Sequence, residues 1–119
     1  MYKRVVFISL PMSGLPDELV RSNIELAKEA YLAITKLDIT HVAFVDNLNC
    51  PDPNDEWPDT VGRDHVWYLG HALEKLSKCD EAFFWLGWKK ARGCMIEHEV
   101  CTMHNIPRIS VEMEGCNGQ

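Results

Sequence analysis

The chain has 119 residues, 46% of them hydrophobic and 25% charged, which is ordinary globular composition with enough apolar side chains for a core without disulfides or a structural metal. Its formal net charge of -6 argues against a general nucleic-acid binder or a partner for anionic membranes, and no apolar run approaches the roughly 18 residues of a membrane span. Five cysteines in no disulfide-framework spacing suit a reducing cytoplasm.

The apolar, β-branched run Val5-Val6-Phe7-Ile8 follows a basic start and imitates a signal peptide. It is too short for one, and Pro11 to Gly14 ends it; it predicts a strand buried on both faces. After the turn residues 13–17, Val20, Ile24, Ala27, Tyr31 and Ile34 step by four and three, which predicts an amphipathic helix over about 17–37. Residues 41–45 read as a second strand. Residues 46–59, interrupted by Pro51, Pro53 and Pro58, read as a loop. A helix over 61–78, a strand over 81–86, a basic loop over 87–92, a helix over 93–105 and a strand over 107–113 follow, and the tail 114–119 is expected to fray.

This alternation predicts one domain over 1–113: an α/β open parallel sheet of four to five strands, the first one central, with helices on both faces. In such sheets ligands bind beyond the carboxyl ends of the strands, near the switch in strand order. The loops 10–16, 46–59 and 87–92 are therefore expected to form one site, with Asp46 and Asn47 contributed by the second.

The segment S-L-P-M-S-G contains Ser9, Met12, Ser13 and Gly14. Hydroxyls and backbone N–H groups leading into a helix can hold a phosphate or a sugar hydroxyl, although the same residues also make an ordinary turn. In G-W-K-K-A-R-G-C-M-I-E-H-E, Glu97 follows Gly93 by four residues and shares its helical face. The glycine admits a ligand, the carboxylate points to the same mouth, and Lys89, Lys90 and Arg92 would attract an anion. The alternative is a solvated acid in a first helical turn. Cys94, His98 and Cys101 offer thiols and an imidazole on one face, but three ligands from one helix are awkward and no metal is expected. His65 or His71 would serve as an acid–base group if it lined the mouth. Of Trp57, Trp67, Trp85 and Trp88, all able to stack on a base, Trp85 is expected in the core and Trp88 at the ligand.

The stretches F-I-S-L-P-M-S-G-L-P-D and K-C-D-E-A-F-F-W-L-G-W-K-K-A-R-G-C-M-I-E-H-E, at their separation, resemble the nucleoside 2-deoxyribosyltransferase-like superfamily. The similarity is greatest to a branch of small proteins with P-M-S-G and G-W-x-x-S-R-G-x-x-x-E-H segments, and it covers residues 7–109. It implies a flavodoxin-like sandwich that cleaves the N-glycosidic bond of a nucleoside or nucleotide. It also implies a glutamate nucleophile at Glu97, no cofactor, and a homodimer or higher homo-oligomer; those tryptophans that are exposed would add apolar area for such an interface. Substrate contacts are expected from Ser9, Met12, Ser13, Gly14, Asp46, Asn47, Trp88, Lys89, Arg92 and Gly93. Three positions depart from the family pattern. The loop G-W-K-K-A-R lacks the acid that transferases place before the nucleophile, Leu10 stands where relatives have glycine, and His71 or Ala72 falls where they have aspartate. The first departure favours a 5′-phosphorylated substrate over base exchange. Together they keep two alternatives open: a nucleotide binder without turnover, and an interaction protein presenting tryptophans.

Overall fold

The computed structural model describes residues 3–48, 50 and 63–112. Most of the expected loop 46–59, with Trp57, the expected helix start at Val61, and the tail 114–119 lie outside the described residues.

Four strands form one all-parallel sheet: β1 (Arg4–Ser9), β2 (Val42–Val45), β3 (Glu81–Phe84) and β4 (Arg108–Ser110), in the order β2-β1-β3-β4. This is the order of a flavodoxin-like sheet through its fourth strand, with the switch point between β1 and β3. Helices α1 (Asp17–Thr35), α2 (Asp64–Leu76) and α3 (Arg92–Met103) make the crossovers.

Strand side chains alternate between faces, so each central strand feeds two cores. Val6, Ile8 and Phe83 pack with Val20, Ile24, Ala27 and Tyr31, the stripe of α1. Phe7, Ala82 and Phe84 pack on the other side with Ala72 and Leu76 of α2 and Cys94 and Cys101 of α3. Burial of both faces explains why β1 reads as a continuous apolar run. The elements are shorter than the sequence predicts by one to three residues at most described ends. Helix α1 stops at Thr35 because Lys36 turns left-handed, with φ 63°, and donates its N–H to the Leu32 carbonyl at 2.8 Å.

The amino end of the sheet is closed by polar contacts. Tyr31 donates its hydroxyl to Glu81 Oε1 and accepts from Arg4 at 3.1 Å, while Arg4 lies 3.5 Å from the same Glu81 oxygen. Asp80 accepts the Val5 N–H and donates its own to the Val5 carbonyl, both at 2.8 Å, and so ties the entry of β3 to β1. At the carboxyl end, Gly87 takes φ 88°, a conformation that suits glycine, and a Cβ there would come 3.2 Å from Pro11 Cγ. The loops after β1 and β3 thus approach each other closely over the switch point. Among the described residues, no helix is long and apolar enough to cross a membrane.

Candidate active site

The helix α3 starts against the carboxyl ends of β1 and β3 because the chain leaving Phe84 folds into a 3₁₀ turn (Trp88–Lys90) before Ala91. The N-cap residue, Ala91, has no polar side chain to cap with, so among the described residues the first N–H groups of α3 carry no side-chain acceptor. One turn further in, Glu97 points back toward the end of β1. Ser9, the last residue of that strand, donates its hydroxyl to Glu97 Oε1 at 2.6 Å. Both residues are buried, Glu97 at 7% and Ser9 at 2% exposure. A solvated acid in a first helical turn is therefore not what the fold makes of Glu97.

Burial pushes the Glu97 carboxyl up to about 7, against the opposing pull of the Ser9 hydroxyl. Among the described residues no lysine or arginine lies within ion-pair distance of it. The neighbouring Cys94 thiol is buried too. Desolvation pushes it up to about 12, with Glu97's charge adding to the rise against a lowering from Ser9, so it is an inert thiol rather than a nucleophile.

This pair opens onto a cleft of about 820 Å³. Its floor is the end of β1 with the 10–13 turn, one wall is the first turns of α3 from Ala91 to Glu97, and the other is α2. The expected contacts Ser9, Met12, Ser13, Asn47, Arg92 and Gly93 line it together with Glu97, and Lys90 joins them. A Cβ on Gly93 would meet no protein atom within 4 Å, so the glycine faces open space rather than a packed neighbour.

Four expected contacts stand elsewhere. Gly14 shapes the turn instead of lining the cleft: its φ of 79° allows Leu15 to donate to the Met12 carbonyl at 3.2 Å. Asp46 turns its carboxylate inward to its own loop and accepts the Leu48 N–H at 2.9 Å. Lys89, unlike Lys90, does not line the cleft and pairs with Glu112 at 2.9 Å. Trp88 is 8% exposed and belongs to the core, stacked on His98 with ring centres 4.3 Å apart and against Phe84 at 5.4 Å. Trp85 is only half-buried, which reverses the expected roles of the two tryptophans. No described tryptophan is exposed, so they supply no apolar patch; the exposed large apolar side chains include Leu19, Leu26, Ile34, Val66 and Met103 instead.

Sequence reasoning named His65 as an acid–base group if it lined the mouth, which it does, but left out the rest of the α2 wall. His65, Val66, Tyr68, Leu69 and Ala72 line the cleft, at the i, i+1, i+3, i+4, i+7 spacing of one helical face. That spacing was the available signal, obscured because Leu73 and Leu76 of the same helix mark the core-facing stripe. His71, by contrast, lies against Trp67, with ring centres 4.0 Å apart, and does not line the cleft. Cys94, His98 and Cys101 diverge into the Ser9–Glu97 contact, the Trp88 stack and the core. Among the described residues, no group of three or more His, Cys, Asp or Glu is placed to hold a metal ion.

The chain matches no known protein-family model, no curated protein and no solved structure.

Proposed function

We propose that the cleft binds a nucleoside or nucleoside 5′-monophosphate and that Glu97 cleaves its N-glycosidic bond. The observation that carries this is the buried carboxyl in the cleft wall, held by one hydroxyl and, among the described residues, balanced by no cation. A carboxyl poised near neutrality at the mouth of a switch-point cleft is the arrangement catalysis needs, whereas structural carboxylates are paired. The cleft volume falls within the ~300–1,000 Å³ of small-molecule sites. An apolar wall on α2 suits a base, and Arg92, Lys90 and the uncapped start of α3 suit a phosphate.

The chemistry follows from the residue. The Glu97 carboxylate bonds to the anomeric carbon as the C–N bond breaks and its electron pair leaves with the base. The base takes up a proton, and His65, the imidazole that lines the same cleft, is placed to give it. Water then attacks the anomeric carbon and passes one proton to His65, the ester bond to Glu97 breaks, and the carboxylate, the protonated imidazole and the free sugar or sugar phosphate result. A second base in place of water would complete a transfer. Glu97 acts here as an anion, so the acid limb of kcat/KM should rise with pH through about 7.

The test is to incubate the protein with nucleosides and their 5′-monophosphates and to look for free base by chromatography, with Glu97→Gln as the control. Released base that Glu97→Gln does not produce supports the proposal. Cleavage that persists in Glu97→Gln refutes the role of Glu97. Tight binding without cleavage would favour a nucleotide-binding protein, a reading supported by Glu97 being the sole carboxylate in the described lining.

A further inference from the structure

We propose that Ser9 is a positioning residue for Glu97 and not a contact for the ligand: its hydroxyl fixes Oε1 and so assigns the reaction to Oε2. This deepens the glycosidic proposal and rests on it for the reacting step alone.

Four observations support it. Ser9 ends a central strand and is held from the β3 side: its carbonyl accepts the Trp85 N–H at 2.9 Å, and it pairs in register with Phe84. Its side chain is therefore mounted on backbone that β3 holds in place. Second, its hydroxyl proton is directed to Glu97 Oε1 at 2.6 Å, a short distance characteristic of an O–H donor to a charged oxygen. A hydroxyl has one proton to give, so Ser9 cannot at the same time donate to a phosphate or sugar. Third, Ser9 is 2% exposed, far less than Ser13, which lines the same cleft as an exposed residue and is free to contact a ligand. Fourth, Glu97 Oε2 makes no hydrogen bond among the described residues while Glu97 lines the cleft.

The consequence is an asymmetric carboxyl. Oε1 is turned to the strand and anchored. Oε2 is presented to the cavity in a fixed rotamer, so that the lone pair aimed at an electrophilic carbon does not have to be selected from a rotating group. The same hydrogen bond favours the ionised form, which burial otherwise disfavours, and thereby keeps part of the Glu97 population anionic near neutral pH. The titratable and charged groups that share the cleft with Glu97 are His65 and Tyr68 of α2, Lys90 before α3, and Arg92 and Cys94 of α3.

The experiment compares the wild-type chain with Ser9→Ala and Ser9→Thr in two measurements. In the first, the Glu97 carboxyl carbon is followed by NMR as pH is varied. The midpoint should move upward by about one pH unit in Ser9→Ala and return toward the wild-type value in Ser9→Thr, which restores a hydroxyl. In the second, cleavage is measured against pH with a nucleoside the wild type cleaves. Ser9→Ala should lower kcat by about 10²-fold, leave KM within a few-fold, and shift the acid limb of kcat/KM upward with the NMR midpoint. An unmoved Glu97 midpoint in folded Ser9→Ala overturns the proposal whether or not the chain cleaves anything. So does a raised KM with unchanged kcat, which would make Ser9 a ligand contact. Absence of cleavage by the wild type, with the midpoint shifted as expected, refutes the glycosidic proposal and leaves Ser9 as the group that sets the state of Glu97.

Discussion

Near the two ends of the sheet stand two glutamates in opposite circumstances, one partly buried and one buried. At the amino end, Glu81 receives the Tyr31 hydroxyl and lies 3.5 Å from the Arg4 guanidinium, so its charge is met by a cation and a donor. At the carboxyl end, Glu97 is the more deeply buried and receives one serine hydroxyl. The same residue type, at opposite ends of one sheet, is a strut in one place and an unbalanced charge in the other. Folding tolerates a buried acid when partners offset its desolvation. Where partners are withheld, the acid stays close to its protonation point, and that is useful only for chemistry.

The largest test of this contrast is kinetic. Glu97→Gln keeps the shape and removes the anion, and it should lower cleavage by several powers of ten, each being about 1.4 kcal/mol of barrier, with ligand affinity nearly unchanged. Glu81→Gln should leave kcat within a few-fold, since Glu81 sits at the opposite edge. Chromatographic assay of free base and calorimetric binding on both variants decides it; equal loss of activity in the two would remove the distinction.

The next effect is on stability, and the two variants should differ in sign. The folded-state pKa of Glu97 lies above the unfolded value. Its protonated form therefore stabilises the fold fully below the ordinary carboxylate range, and that contribution is lost as pH rises through about 7. The loss amounts to roughly 3 kcal/mol. Glutamine does not titrate, so Glu97→Gln should match the wild type below about pH 4 and exceed it in stability by up to that amount above about pH 8. Glu81→Gln should instead be destabilised at neutral pH by about 1–2 kcal/mol, because it weakens bonds from Tyr31 and Arg4. Urea unfolding across the pH range measures both. A Glu97→Gln variant less stable than wild type at pH 8 would mean that the carboxylate is better solvated than its burial implies.

A smaller effect separates the two lysines of the 3₁₀ turn. Removing Arg92 or Lys90 should weaken a nucleoside 5′-monophosphate by about tenfold at low salt and less at high salt, with little change for the nucleoside. Lys89→Ala should change neither, because Lys89 is paired with Glu112 outside the cleft. Calorimetric titration at two salt concentrations distinguishes them.

The contrast also explains what was legible in the sequence. The order of elements could be read because it rests on local periodicity: Val20, Ile24, Ala27 and Tyr31 announce a helix face wherever the helix goes. The parallel sheet and its central first strand follow from the same pattern. Glu97 and Gly93 lie on one helix, so their shared face was a matter of spacing. What the sequence did not carry is long-range. Ser9 meets Glu97 across 88 positions, and Lys89 meets Glu112 across a helix and a strand. The tryptophans were exchanged because the 3₁₀ turn after β3 folds Trp88 back onto Phe84 and His98, a bend that no periodic signal marks. Asp46 and Gly14 were placed by the rule that switch-point loops surround the ligand. That rule locates loops but does not say which side chains turn inward.

The smallest expected effect concerns Gly93, and it tests whether the open side of the contrast is open for a ligand. The residue sits at the second position of α3, where alanine is the better helix former and a Cβ would meet no protein atom within 4 Å. Gly93→Ala should therefore fold normally and gain up to about 1 kcal/mol of stability in urea unfolding. If the uncapped first turn of α3 receives the substrate, the added methyl occupies space that the ligand needs, and affinity for a cleaved nucleotide should fall by a few-fold while the Glu97 titration midpoint stays in place. Stability and affinity would then move in opposite directions from one methyl group. That pattern is expected of a glycine kept for a ligand and not of one kept for the fold. A Gly93→Ala chain that is both more stable and equally tight in binding would place the ligand elsewhere in the cleft, against the α2 wall and away from the start of α3.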